Sequence, residues 1–170
     1  MALISAEKDP MGQAIADYYR TGEAKRLRVI SSMFDEDEIP VSTLFRGAEQ
    51  MNAMERTALD AVYGRILDVG AGSGCHSLVL QERGHSVTAI DVSPLSVETM
   101  RKRGVEDARL ADFYEMECDT RYDTLLMLMN GSGIVGRLEN MPMFFSRMRE
   151  MLNPGGTILM DSSDLKYLYE

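Results

Sequence analysis

Residues 65–80, RILDVGAGSGCHSLVL, leave this chain little choice of fold. An apolar run containing Ile66, Leu67 and Val69 stops at three glycines on alternate positions, Gly70, Gly72 and Gly74, and a helical segment follows. The run reads as a central parallel strand buried on both faces. The glycines let the backbone turn sharply and approach a ligand closely, because no Cβ stands in the way. The helix that starts near Gly74 turns its free N–H groups and positive dipole end toward the loop, which favours an anionic group. Asp68, two residues before the first glycine, supplies the opposite sign, since a carboxylate at a strand end can hold an ammonium.

A ligand with both an amine and a carboxylate matches this loop, and the methionine part of S-adenosylmethionine carries both. A nicotinamide dinucleotide is the rival. Its fingerprint, G-x-G-x-x-G, needs a third glycine where this chain has Cys75; here that glycine comes one residue early, at Gly74. Asp68 would also repel a pyrophosphate. A turn that merely joins strand to helix explains the glycines but not a strand-embedded acid.

The landmarks downstream keep order and spacing. Ser86–Asp91, SVTAID, reads as a second strand ending in an acid, nineteen residues after Gly72. That is close to the separation at which an acid meets ribose hydroxyls in mononucleotide-binding folds. Ser93 is the better helix cap, with Pro94 at the first helical position, so Asp91 is expected to be free for a ligand. Ala108–Phe113, ARLADF, reads as a third strand, and Asp112 beside Phe113 could accept from an adenine amino group and cover its ring. Taken alone, that segment equally fits a loop acid and a core aromatic. Tyr122–Met129 reads as a fourth strand, followed by Asn130, Gly131, Ser132 and Gly133. Asn153-Pro-Gly-Gly156 marks a turn, and Thr157–Met160 a fifth strand ending at Asp161.

Together these segments, ILDVGAGSG, VTAID, ADF, YDTLLMLMNG and LNPGGTILMD, resemble the class I, Rossmann-like S-adenosylmethionine-dependent methyltransferases. The whole sequence is similar to a subgroup of small bacterial members with an N-terminal helical cap. The resemblance implies a three-layer α/β fold with a mostly parallel sheet in the order 3-2-1-4-5. It implies a cap over residues 1–63 and a cofactor-binding domain over 64–170. It implies that Asp68, Gly70, Ala71, Gly72 and Gly74 hold the methionine part, with His76 assisting or packing. Asp91 and Val92 would serve the ribose, Asp112 and Phe113 the adenine, and Asn130 and Gly131 would lie near the reactive methyl. The family sheet has seven strands. This chain offers no segment for the last two, so they are expected to be absent. Strand five then becomes an edge with unpaired backbone groups, which favours a homodimer.

A length of 170 residues suits one domain, and 45% hydrophobic residues suffice for a core. The net charge of −9, with no stripe of Lys and Arg, argues against nucleic acid as a substrate. Arg101, Lys102 and Arg103 close a helix, where cations favour the dipole. Two cysteines without metal spacing, Cys75 and Cys118, fit a reducing cytoplasm, and no metal is expected. The start lacks a signal-peptide core, and no apolar run is long enough to cross a membrane. The fourteen methionines read as adaptable core. Met127 and Met129 fall in a buried strand, and Met141, Met148 and Met151 with Phe144 and Phe145 share one helix face.

In the N-terminal third, Asp9–Arg20 reads as a helix capped by Asp9, and Leu27–Met33 as a strand. Asp35–Glu38, DEDE, reads as a solvated turn. Asn52–Val62 reads as a helix with Asn52 and Glu55 as a capping box and Met54, Ala58 and Val62 on its apolar face. Tyr18, Tyr19, Phe45 and Arg46 are the lid candidates for ordering a small acceptor or the cofactor carboxylate.

Methyl transfer from a sulfonium needs alignment and water exclusion more than a base. Asp161 and Asp164 lie near an acceptor position but do not stand out as bases, and His85 reads as a surface residue. The chain lacks the Asn/Asp-Pro-Pro-Tyr of many amino methyltransferases, the Pro-Cys of cytosine enzymes and the acid pair of a catechol-type metal site. A small-molecule acceptor remains. The alternatives are a non-catalytic module that binds S-adenosylmethionine or S-adenosylhomocysteine, and an NAD(P)-dependent oxidoreductase.

Overall fold

The computed structural model describes residues 3–32 and 35–163. The chain runs α1 (Pro10–Thr21), β1 (Leu27–Val29), β2 (Asp37–Ile39), α2 (Ala53–Ala61), β3 (Arg65–Val69) and α3 (Cys75–Glu82). It continues through β4 (Ser86–Asp91), α4 (Pro94–Arg103), β5 (Asp107–Leu110), β6 (Tyr122–Met127), α5 (Met141–Met151) and β7 (Leu152–Met160). Five strands form one sheet in the order β5-β4-β3-β6-β7. All four pairings are parallel, so the predicted order 3-2-1-4-5 holds.

Alternation along β3 builds the layers. Leu67 and Val69 face one side with Leu125, Met127 and the α5 residues Phe144, Met148 and Met151. Ile66 faces the other with Leu59, Val62, Val79 and Leu80. From β3 the chain crosses to β4 on one side, and β6 lies on the other. The strand order reverses there, and the carboxyl ends open a crevice.

Local signals hold where they are chemical. Asp9 accepts from the Gly12 N–H at 2.7 Å, and Ser93 Oγ from the Ser96 N–H at 2.9 Å. Asn52 and Glu55 form the expected box. Several segments differ. The fourth sheet strand stops at Met127, and Met129 turns out of it, 40% exposed rather than buried. The third stops at Leu110, leaving Asp112 and Phe113 in the following loop. Phe145 and Met54 are exposed, because Phe144 and Glu55 take the inward positions of their helices. The early strand covers only Leu27–Val29, and Met33 lies outside the described residues. Its partner β2 takes up Asp37 and Glu38, so the acidic run is half of a hairpin, not a turn. Glu36 pairs with Arg28 and Glu38 with Arg26 across it.

The N-terminal elements pack as a cap on the carboxyl edge of the sheet. Ala14, Ile15, Val41 and Leu44 form its core. The Ile4 N–H donates to the Val92 carbonyl at 3.0 Å, and Ser93 Oγ donates to Asp9. Ser73 Oγ donates to the Leu44 carbonyl, and the Arg103 guanidinium lies 4.6 Å from the Phe45 ring centre. No described helix is long and apolar enough to cross a membrane.

Candidate active site

The glycine loop is left-handed at every second residue, with φ of +73° at Gly70, +58° at Gly72 and +80° at Gly74. Gly74 is closed to other residues twice over, since a Cβ there would also stand 2.7 Å from Val105 Cγ2. The Gly70 and Ala71 N–H groups donate to the Ile90 carbonyl at 2.9 and 3.0 Å, which ties the loop to the end of β4.

Asp68, next to last in β3, is buried, and Ser77 Oγ donates to its Oδ2 at 2.6 Å. Burial pushes its carboxyl above the usual carboxylate range, against the pull of His76 and Ser77. Asp91 is pushed the same way by burial, while the Ser93 and Gly72 N–H groups oppose the shift. Those groups donate at 2.9 Å to Oδ1 and 2.8 Å to Oδ2. Asp91 is therefore not the uncommitted acid expected of it. Each oxygen gives one lone pair to the loop and retains a second.

Above the loop lies a cavity of about 640 Å³, bounded by Asp68, Gly70, Gly72, His76, Asp91 and Asn130, with the cap as its roof. A second cavity of about 150 Å³ holds Val92, Asp112, Phe113, Tyr114 and Ile134 at its walls. Gly70 and Asp91 line both, so the two adjoin. In the smaller one, Asp112 is buried and its Oδ1 accepts from the Tyr114 N–H at 2.8 Å. Phe113 packs against Phe144 with ring centres 5.8 Å apart.

At the end of β6 two successive non-glycine residues are left-handed, Met129 at φ +64° and Asn130 at +63°. Asp161 holds the turn: Oδ2 accepts from the Met129 N–H and Oδ1 from the Gly131 N–H, both at 3.0 Å. Asn130 and Asp161 line the larger cavity; Gly131 is buried behind them.

The roof adds Arg46 and Glu55. Glu55 is 2% exposed and accepts from Arg46 Nε at 3.3 Å. It lies 2.8 Å from His76 Nε2. Burial works against the His76 imidazolium, Cys75 and Asp68 work for it, and the balance lies above the ordinary histidine value.

A buried acid at a strand end, a left-handed glycine loop and a helix N-terminus meet here beside a small, mostly apolar pocket. Residues 66–156 match the methyltransferase domain family. The chain belongs to the class I S-adenosylmethionine-dependent methyltransferases. A solved methyltransferase from Bacteroides fragilis, in complex with S-adenosyl-L-homocysteine, is 63% identical with a TM-score of 0.93; the match covers 98% of this chain and 70% of that one. A cypemycin N-terminal methyltransferase from Streptomyces is 28% identical over 102 residues, 58% of this chain and 42% of its own. A ubiquinone biosynthesis O-methyltransferase from Idiomarina loihiensis is 28% identical over 107 residues, 61% of this chain and 44% of its own. The chain thus spans less than half the length of these two curated relatives.

Within this methyltransferase domain, Asp68, Gly70, Ala71, Gly72, His76, Asp91 and Asn130 face the larger cavity, and Val92, Asp112 and Phe113 the smaller. Gly74 and Gly131 stand behind these walls and shape them. Of the four lid candidates, Arg46 alone reaches the cavity. Tyr18 and Phe45 pack together, ring centres 4.8 Å apart, and the Tyr19 hydroxyl donates to the Lys102 carbonyl at 3.1 Å. Phe45, under Arg103, and Tyr19, through Lys102, tie the cap to α4. Asp164 lies outside the described residues. Sequence reasoning missed Glu55 as a cavity residue, and Tyr114 and Ile134. The aromatic after Phe113 was the available signal for Tyr114.

Proposed function

We propose that this domain binds S-adenosylmethionine across the two adjoining cavities and transfers its methyl group to a small-molecule acceptor. The observation that carries this reading is the meeting of the two cavities at Gly70 and Asp91. One has the charge pattern for an amino acid, the other the shape and edge for a purine. In this reading Asp68 takes the ammonium, and the glycine-loop amides with the α3 N-terminus take the carboxylate. The remaining lone pairs of Asp91 take the ribose hydroxyls. Asp112 accepts from the adenine amino group, while Phe113 and Tyr114 wall its ring.

The bound sulfonium supplies a leaving group already activated by its charge, so the chain's own task is alignment and dryness. Residues 1–63 act as the cap that keeps water out, over a cofactor domain of residues 64–170. Asn130 flanks the path of an in-line attack. Asp161 fixes that turn through two backbone N–H groups. The names of the two relatives include an N-terminal and an O-methyltransferase, and the proposal covers both acceptor atoms.

Calorimetry with S-adenosylhomocysteine, and NADH as control, tests the reading. We expect micromolar binding of the sulfur ligand alone. Asp91→Ala should weaken it by about 1–3 kcal/mol, the scale for losing a partner of buried polar groups. Binding of NADH without the sulfur ligand, or an unaltered affinity in Asp91→Ala, would overturn it.

A further inference from the structure

Glu55 does more than its place in the helix requires. A capping-box glutamate needs one lone pair, here given to the Asn52 N–H at 3.1 Å, and it ordinarily stands in solvent. This one is 2% exposed. Its two oxygens also take the Arg46 guanidinium, through Nε and Nη2, and the His76 ring. The partner side chains are buried as well, at 9% and 6% exposure. A buried carboxylate is tolerated only while its donors stay in place, because each one offsets part of the desolvation.

The junction joins three elements. Arg46 follows the 3₁₀ turn Val41–Phe45, Glu55 lies in the first turn of α2, and His76 in the first turn of α3, just behind the glycine loop. All three line the larger cavity with Asp68. Arg46 spends three of its five N–H donors on Glu55 and on the Thr43 carbonyl, which leaves two.

We propose that Glu55 is a positioning residue for recognition of the ligand's amino-acid end. It locks Arg46 and His76 against the α3 N-terminus, so that the cation and the helix amides together receive a carboxylate. The inference rests on the cofactor reading above. It assigns Glu55 an effect on one end of the ligand only.

The test compares two ligands by calorimetry on the purified chain. S-adenosylhomocysteine carries the amino acid, and 5′-methylthioadenosine keeps the nucleoside and sulfur but lacks it. Glu55→Gln retains the shape and one acceptor. We expect it to bind S-adenosylhomocysteine at least tenfold more weakly and to bind methylthioadenosine within twofold of the parent chain. His76→Asn, which breaks the junction from the α3 side, should do the same and stands in if Glu55→Gln fails to fold. An equal loss for both ligands would reduce Glu55 to a structural role and overturn the proposal, as would an unchanged affinity for S-adenosylhomocysteine. A parent chain that binds methylthioadenosine but not S-adenosylhomocysteine would overturn this proposal and leave the nucleoside half of the cofactor reading standing. A parent chain that binds neither would overturn both.

Discussion

Asp68 is buried where its charged form is disfavoured. Burial raises its carboxyl above the ordinary 3.8, so the native chain holds that proton more tightly than the unfolded chain. The stability that follows is fully present below the unfolded value and is lost as pH rises through the folded one. Asp91 shifts in the same direction and adds to the trend. Asp68→Asn keeps an acceptor for Ser77 and removes the buried charge. It should raise the unfolding temperature of the ligand-free chain by a few degrees at neutral pH and flatten its rise on acidification, while weakening S-adenosylhomocysteine. Thermal unfolding from mildly acidic to neutral pH, with calorimetry, checks both halves. At this scale the sequence is readable where one residue type meets a local pattern, as Asp68 does at the end of an apolar run. Glu55 is illegible for the opposite reason. A capping box explains it locally, and nothing in the spacing shows the two distant partners that bury it.

Between elements, Arg147 on α5 ties down the loop after β5. Its Nε donates to the Phe113 carbonyl at 2.9 Å, Nη1 to Cys118 Sγ at 2.9 Å, and Nη2 to the Met116 carbonyl. The floor of the smaller cavity is therefore held from the helix behind it. Arg147→Ala leaves those carbonyls without their donor and should cost about 1–3 kcal/mol in thermal or denaturant unfolding. It should also weaken S-adenosylhomocysteine and methylthioadenosine to a similar degree, the reverse of the pattern expected for Glu55→Gln. The sheet strands were legible because doubly buried strands are nearly continuous apolar runs. The 3₁₀ segments Val41–Phe45 and Gly131–Val135 were not, since so short a turn carries no periodic signature. Those segments bring Thr43 and Leu44 to the larger cavity and Ile134 to the smaller, so part of the site was hidden with them.

For the whole molecule, the sheet order followed from the family resemblance carried by the strand-end motifs, while the docking of the cap had no such signal. That docking depends on pairs such as Phe45 with Arg103, far apart in the chain and ordinary in composition. One edge of the sheet is β7, which pairs with β6 alone among the described residues. An edge strand with unpaired backbone groups invites a second copy. We expect the mass of this 170-residue chain, measured by light scattering, to rise with concentration toward that of a dimer. A constant monomer mass would count against that reading.

The turn at Met129 and Asn130 bears on how such a domain can change over time. Two adjacent left-handed residues outside glycine store strain of about 1–3 kcal/mol each, less for asparagine than for methionine. A glycine at position 129 would relieve much of it, so selection for a hardier protein finds an easy gain there. The same substitution would loosen the backbone beside the proposed path of methyl transfer. Heat tolerance and turnover therefore compete for one dipeptide. A lineage moved to a warmer habitat would be expected to find its added stability elsewhere.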